Sequence, residues 1–187
     1  MHQELKYLPL LALAAGLLST TTTAAHAEEP ATRVGVDAGL ALPIGKLSDG
    51  ANLGLSGLVR VEHRIVPALD VTARLGAIYF LPKDAGGIKV SLLAIPLLVG
   101  VRVPFGEGPF VTGEVGLTRV SAHASGTVAG VDASGSSDAE FKGTLLVGGG
   151  YRFGAFDVKA TFGGLDLGHF GDTLFLGVNA GYNFAAF

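Results

Sequence analysis

The chain has no cysteine and no tryptophan. Without cysteine it can form no disulfide, no CxxC redox pair, no thiolate metal site and no lipid-modified cysteine anchor. Charge is sparse as well. Thirteen Lys and Arg face sixteen Asp and Glu, for a net charge of −3 over 187 residues, with no basic block. Nucleic-acid binding therefore lacks its electrostatic footprint. Charged residues make up 16% and hydrophobic residues 49%, the reverse of a disordered composition. Long apolar runs are missing too. Beyond the N-terminus the longest is LLAIPLLVGV at 92–101, broken by Pro96 and Gly100, and a membrane-spanning helix needs about 20 residues. Glycine alone is abundant: 29 residues, about twice the usual share of roughly 7%. The length suits one domain.

The N-terminus reads as an export signal. Lys6 begins a short positive region, LPLLALAAGLL at 8–18 is apolar but too short to span, and Ala25-His26-Ala27 is a small-x-small cleavage site. The expectation is a signal peptide over 1–27, cleaved after Ala27, a short segment at 28–32, and one domain over 33–187.

Past residue 32 the apolar residues recur with period two, in segments separated by Gly, Pro, Asp and Ser, which predicts strands. Eight are expected: 33–42, 53–64, 70–81, 89–103, 110–120, 141–153, 156–165 and 173–184. One face carries Val, Leu, Ala and aromatics. The other carries Gly, Ser, Thr and ten charges: Asp37, Arg60, Glu62, Arg74, Arg102, Glu114, Lys142, Arg152, Asp157 and Lys159. A soluble barrel of lipocalin type would turn the apolar face inward around a small apolar ligand. A membrane barrel would turn it outward.

Three features favour the membrane barrel. The charged face alternates long side chains with small ones, which fills a narrow eight-stranded interior. The connections at 65–69, 104–109 and 154–155 are short. Those at 43–52, 82–88, 121–140 and 166–172 tend to be longer, the one at 82–88 excepted, as in barrels with short periplasmic turns and long outer loops. Phe110, Tyr151, Phe153, Phe156, Tyr182 and Phe184 gather near the short turns, with Tyr79 and Phe141 toward the other end. That distribution predicts aromatic girdles at the two interfaces. Ten residues rise roughly 33 Å, which a tilt near 45° reduces to about the 25 Å of the apolar band.

The segments VGVDAGLALPIGKLSDGANLGLSG, VSLLAIPLLVGVRVPF, GGGYRFGAFDV and LGVNAGYNF resemble the small eight-stranded outer-membrane β-barrels of Gram-negative bacteria, the OmpA/OmpX type. The resemblance spans about residues 33–184. It implies an all-β, single eight-stranded antiparallel up-and-down transmembrane barrel in outer-membrane lipid. The last segment, with Gly177, Gly181, Tyr182 and Phe184, is similar to the terminal strand read by the barrel-assembly machinery, although Ala185-Ala186-Phe187 runs past it.

Local register makes further expectations. Gly154-Ala155 suits a type II′ hairpin, setting Phe153 opposite Phe156 and Arg152 opposite Asp157. A short turn at 65–69 sets Arg60 opposite Arg74 and Arg64 opposite Asp70. Facing arginines repel, so a carboxylate from Asp37, Glu62 or Glu114 should lie between them, and Glu114→Ala should destabilise the barrel. Pro96 should cost a bulge or a ladder hydrogen bond. An eight-stranded interior is filled by side chains, so no large pore is expected.

Catalysis is the alternative from another class. A lipid-modifying outer-membrane enzyme would need a nucleophile, a base and an acid. Ser121, His123 and Ser125, with Asp138 and Glu140, bracket the longest connection. They lie on Gly/Ser-rich chain without a nucleophile elbow, so no enzyme is expected. His63, His123 and His169 are dispersed, and neither a metal nor a cofactor is expected. The role that remains is structural or surface interaction, with 121–140 as the route to an extracellular partner.

Overall fold

The computed structural model describes residues 31–85, 88–128 and 131–187. The segment 1–27, read as a signal, lies outside the described residues, as do residues 28–30. Nine antiparallel strands follow one another: β1 (Thr32–Pro43), β2 (Gly54–Val66), β3 (Leu69–Ala85), β4 (Ile88–Pro104), β5 (Pro109–Val128), β6 (Val131–Ser136), β7 (Glu140–Phe153), β8 (Phe156–Gly164) and β9 (Leu174–Ala186). A short helix, α1 (Leu47–Gly50), follows β1, and a 3-10 segment, Leu167–Asp172, precedes β9.

Sequence neighbours pair from β1 to β6 and from β7 to β9, β7 pairs with β5 rather than β6, and β1 pairs with β9. The sheet therefore closes on itself as an eight-strand antiparallel barrel. β6 and β7 together face the whole length of β5: β6 along its outer end, β7 along the barrel wall.

The alternation read from the sequence has its apolar side outward. Val59, Leu75, Val99, Val115, Val147 and Val178 are all exposed on the barrel's outer surface. The interior positions between them hold the charges and small residues. This polarity is opposite to that of a soluble barrel around an apolar ligand.

The expected registers hold. Phe153 pairs with Phe156 and Arg152 with Asp157 across a turn in which Gly154 has φ +61°, a backbone that favours glycine. Arg60 pairs with Arg74 and Arg64 with Asp70. Opposite Pro96 the ladder between β3 and β4 skips Gly76 and Ala77, then resumes in the same register at Ile78 and Ala94. Proline has no N–H to give, so the cost is a gap rather than a bulge.

Several strand ends differ from the sequence reading, most of all at the outer end of the barrel. The connections at 82–88 and 121–140 are largely strand. β3 runs to Ala85, β4 begins at Ile88, β5 reaches Val128, and β6 returns along it. Propensity of this Gly/Ser-rich chain is poor, but pairs such as Ser91 with His123 and Ser125 with Ser134 extend the existing ladders. Tertiary pairing overrides local preference here. The last strand also continues past Phe184. A register shift opposite Val34 and Gly35 carries β9 on, and Thr32 and Phe187 exchange two backbone hydrogen bonds.

Candidate functional site

The barrel interior has two halves. Toward the short turns it is ionic. Arg60 on β2 donates to Asp37 on β1 at 2.7 Å and to Asp157 on β8 at 2.7 Å, and its Nε lies 3.2 Å from Glu62. Arg74 on β3 lies 2.9 Å from Asp37 and 2.7 Å from Glu114 on β5. Asp37 thus sits between the two arginines that face each other across β2 and β3, and Glu114 takes the far side of Arg74. The Arg74 Nε approaches Asp37 Oδ2 without hydrogen-bond alignment, so that contact is ionic. Lys159 on β8 reaches Glu114 at 3.2 Å, and Arg102 on β4 reaches Glu62 at 2.7 Å. Arg152 on β7 reaches Glu62 at 2.5 Å.

Eight of these side chains, all but Arg152, are at least 97% buried. Desolvating charge is costly, and the cost is met only by close pairing with further hydrogen bonds. The strands make room for it with glycine. A Cβ on Gly181 would lie 2.6 Å from Asp157 Oδ1 and 2.7 Å from Asp37 Oδ1, and one on Gly100 would lie 2.9 Å from Glu114 Cγ.

Toward the other end the interior is apolar. Ile78, Phe80, Leu98, Leu146, Leu165 and Phe175 form one buried cluster with Ala41, Ala51 and Ala94, and Leu47 of α1 packs against it. Thr118 and Thr144 hydrogen-bond to each other at 2.6 Å at the same level. The cavity left between the ionic and apolar halves is about 20 Å³, about the room one water needs. The apolar half went unread in the sequence. Its signal is parity: Phe80 shares its phase on β3 with Arg74, and Phe175 shares its phase on β9 with Asn179.

Nine of the ten charged residues named from the sequence come together in this interior. Lys142 does not join them. It sits at the outer rim, 2.7 Å from Glu140 and 3.3 Å from Asp166. Most of the length of β7 (Glu140–Phe153) separates it from Arg152, so alternation gives it the same face but not the same level. Asp166, in the outer loop, also accepts from the Gly168 N–H at 2.9 Å and lies 3.5 Å from His169. Partial burial works to raise its carboxyl, but the Gly168 N–H and the Lys142 ammonium outweigh it and hold the carboxyl below the usual range.

The aromatic residues divide in the same way. Tyr79, Phe141, Tyr151, Phe153, Phe156, Tyr182 and Phe184 are exposed on the outer surface. The rings of Phe156 and Tyr182 lie 4.8 Å apart, and those of Tyr151 and Phe153 5.1 Å apart. Phe110, expected among them, is 3% exposed and lies inside, its ring 3.4 Å from the Arg102 guanidinium carbon. It shares its phase on β5 with Thr112 and Glu114, and that alternation directs it inward.

The residues weighed for catalysis lie elsewhere. Ser121, His123 and Ser125 are on β5 above the barrel, and Ser121 and His123 border an open groove of about 370 Å³ with Tyr79, Ser91 and Leu93. Among the described residues the His123 ring makes no hydrogen bond to either serine. Of the other histidines, His63 Nδ1 lies 2.9 Å from Thr32 Oγ1.

An apolar outer belt, a charged interior and short turns at one end define a small outer-membrane-type β-barrel. The chain matches the outer membrane protein beta-barrel domain over residues 10–184, and it belongs to that family. No curated protein sequence matches it. Its fold is similar to that of Ail, the attachment invasion locus protein of Yersinia pestis. That likeness has a TM-score of 0.57 and 14% identity, covering 83% of this chain and 99% of that one. It is also similar to Neisserial surface protein A, with a TM-score of 0.51 and 17% identity over 82% and 96%. Ail has also been solved with the heparin analogue sucrose octasulfate, there with a TM-score of 0.54. The family places the chain in the lipid bilayer of the bacterial outer membrane, which fits a surface or structural role.

Proposed function

We propose that the chain is a sealed outer-membrane barrel with a structural or surface-interaction role, and neither a large pore nor an enzyme. The observation that carries this is the buried ion-pair network across the interior, Asp37–Arg60–Asp157 and Asp37–Arg74–Glu114–Lys159. Together with the apolar cluster above it, the network leaves no continuous path for ions. On this reading the ten named charges act structurally, with Lys142 tying down the outer rim. The chain is exported by the signal over 1–27, cleaved after Ala27, and inserted by the barrel-assembly machinery acting on β9. The segment 121–140, at the outer end of the barrel, faces an extracellular partner.

Planar-bilayer recording of the refolded chain tests the seal. No steady conductance of porin size is expected, and observing one would overturn it. N-terminal sequencing of the protein from outer membranes should begin at Glu28. Cells displaying the chain should then be compared with cells in which 122–136 is replaced by a tight turn. Loss of self-aggregation, or of adhesion to protein- or glycan-coated surfaces, is expected. Equal behaviour would leave the structural role alone.

A further inference from the structure

The short-turn end of the barrel holds a pocket that sealing the interior does not require. Its volume is about 90 Å³. Four guanidinium side chains line it, Arg33, Arg64, Arg102 and Arg152, against a single carboxylate, Glu107. The turn between β4 and β5 forms one wall, with Gly106, Glu107 and Gly108.

The arginines at its floor crowd their carboxylates. Arg102 and Arg152 share Glu62, at 2.7 and 2.5 Å, while Arg60 also lies 3.2 Å from it. The same three arginines converge on Asp157 Oδ2, at 2.7 Å for Arg60, 3.5 Å for Arg152 and 3.7 Å for Arg102. Of the lining arginines, Arg64 pairs with the buried Asp70 at 3.3 Å, while Arg102 and Arg152 have to share Glu62 and Asp157 with Arg60. The Arg152 Nε is buried without a hydrogen-bond partner. Phe110 stacks on Arg102 and fixes the plane of its guanidinium. Planar, desolvated guanidinium forks match oxyanions of carboxylate or phosphate geometry.

We propose that this pocket binds a phosphate-type oxyanion. Its volume holds one phosphate group and not a larger polyanion. The short turns of such barrels face the periplasm. The pocket therefore opens where two sources of that chemistry meet: inorganic phosphate in solution and the phosphodiester of an anionic lipid in the inner leaflet.

The full chain, folded in detergent, is titrated with inorganic phosphate and followed by ³¹P NMR line broadening. In parallel it is placed in nanodiscs of phosphatidylcholine with and without phosphatidylglycerol, and the retained lipid is identified by native mass spectrometry. Saturable phosphate binding is expected, weakened at least tenfold in Arg33→Gln/Arg64→Gln. Glu107 is exposed in the turn and makes no ion pair among the described residues. Glu107→Gln therefore leaves the fold intact and should tighten binding several-fold. A phosphate response identifies the free anion. Selective retention of phosphatidylglycerol, enhanced by Glu107→Gln and without a phosphate response, identifies the lipid headgroup. Binding of neither ligand, or binding that Glu107→Gln leaves unchanged, would overturn the proposal.

Discussion

Replacing Glu114 by glutamine separates the ion-pair network from simple packing. Glu114 and Lys159 have side chains only 2% and 3% exposed, with 3.2 Å between their charged atoms. Arg74 lies 2.7 Å from the other Glu114 oxygen and keeps Asp37 at 2.9 Å when that carboxylate is neutralised. Lys159 has no such reserve, since its only ion pair among the described residues is with Glu114. Glu114→Gln keeps the shape and leaves one buried ammonium uncompensated. Removing one partner of a buried pair costs about 3–5 kcal/mol. The second substitution is Lys159→Met in the same background. It removes the stranded charge and should recover most of the loss, because replacing both partners by groups of similar volume is often neutral. The assay follows from composition. With no tryptophan, unfolding is read by far-UV circular dichroism and by the fraction of fast-migrating band on unboiled gels, across a urea series in lipid vesicles. A double-mutant cycle then isolates the pair. Glu114→Gln as stable as the parent, or a double variant no better than Glu114→Gln, would refute the reasoning.

Three further outcomes are expected. Val99→Arg, on the exposed outer belt, should cost about 2–4 kcal/mol in vesicles, as for a cation at the bilayer midplane, and a neutral result would place Val99 outside lipid. Gly76→Ala should destabilise by about 1–3 kcal/mol through overpacking, because its Cβ would lie 2.1 Å from the Gly57 carbonyl oxygen, while Gly57→Ala meets nothing within 4 Å and should be tolerated; urea midpoints compare the two. The Asp166 carboxyl is held below its ordinary range, so its contribution to the outer loop is present above the unfolded carboxyl value and is lost as pH falls through the lowered one. Amide exchange at Gly168 should stay slow through mildly acidic pH and rise only below the ordinary aspartate range, and Asp166→Asn should remove that acid dependence.

The sequence by itself determined the strands, their faces and most of their registers. Side chains alternate strictly along a strand, so Val59 and Arg60, or Val115 and Glu114, cannot share a side. Short turns fixed by Gly154 and by residues 67–68 then set Arg152 against Asp157 and Arg60 against Arg74. Phe110, Phe80 and Phe175 were legible by that same parity, although aromatic clustering near one end pointed Phe110 outward. Level along the barrel axis was not legible. Alternation gives Lys142 the inner face, but only closure of the sheet decides that it stands at the rim beside Asp166 while Arg74, Glu114 and Lys159 meet across the interior. Nor could Gly/Ser-rich residues 121–128 and 131–136 announce themselves as strand, because the hydrogen bonds that extend them are made to β4 and to each other. Which carboxylate each arginine takes is likewise a matter of tertiary structure, since tilt and closure bring together side chains from β1, β2, β3, β5 and β8 that no local spacing relates.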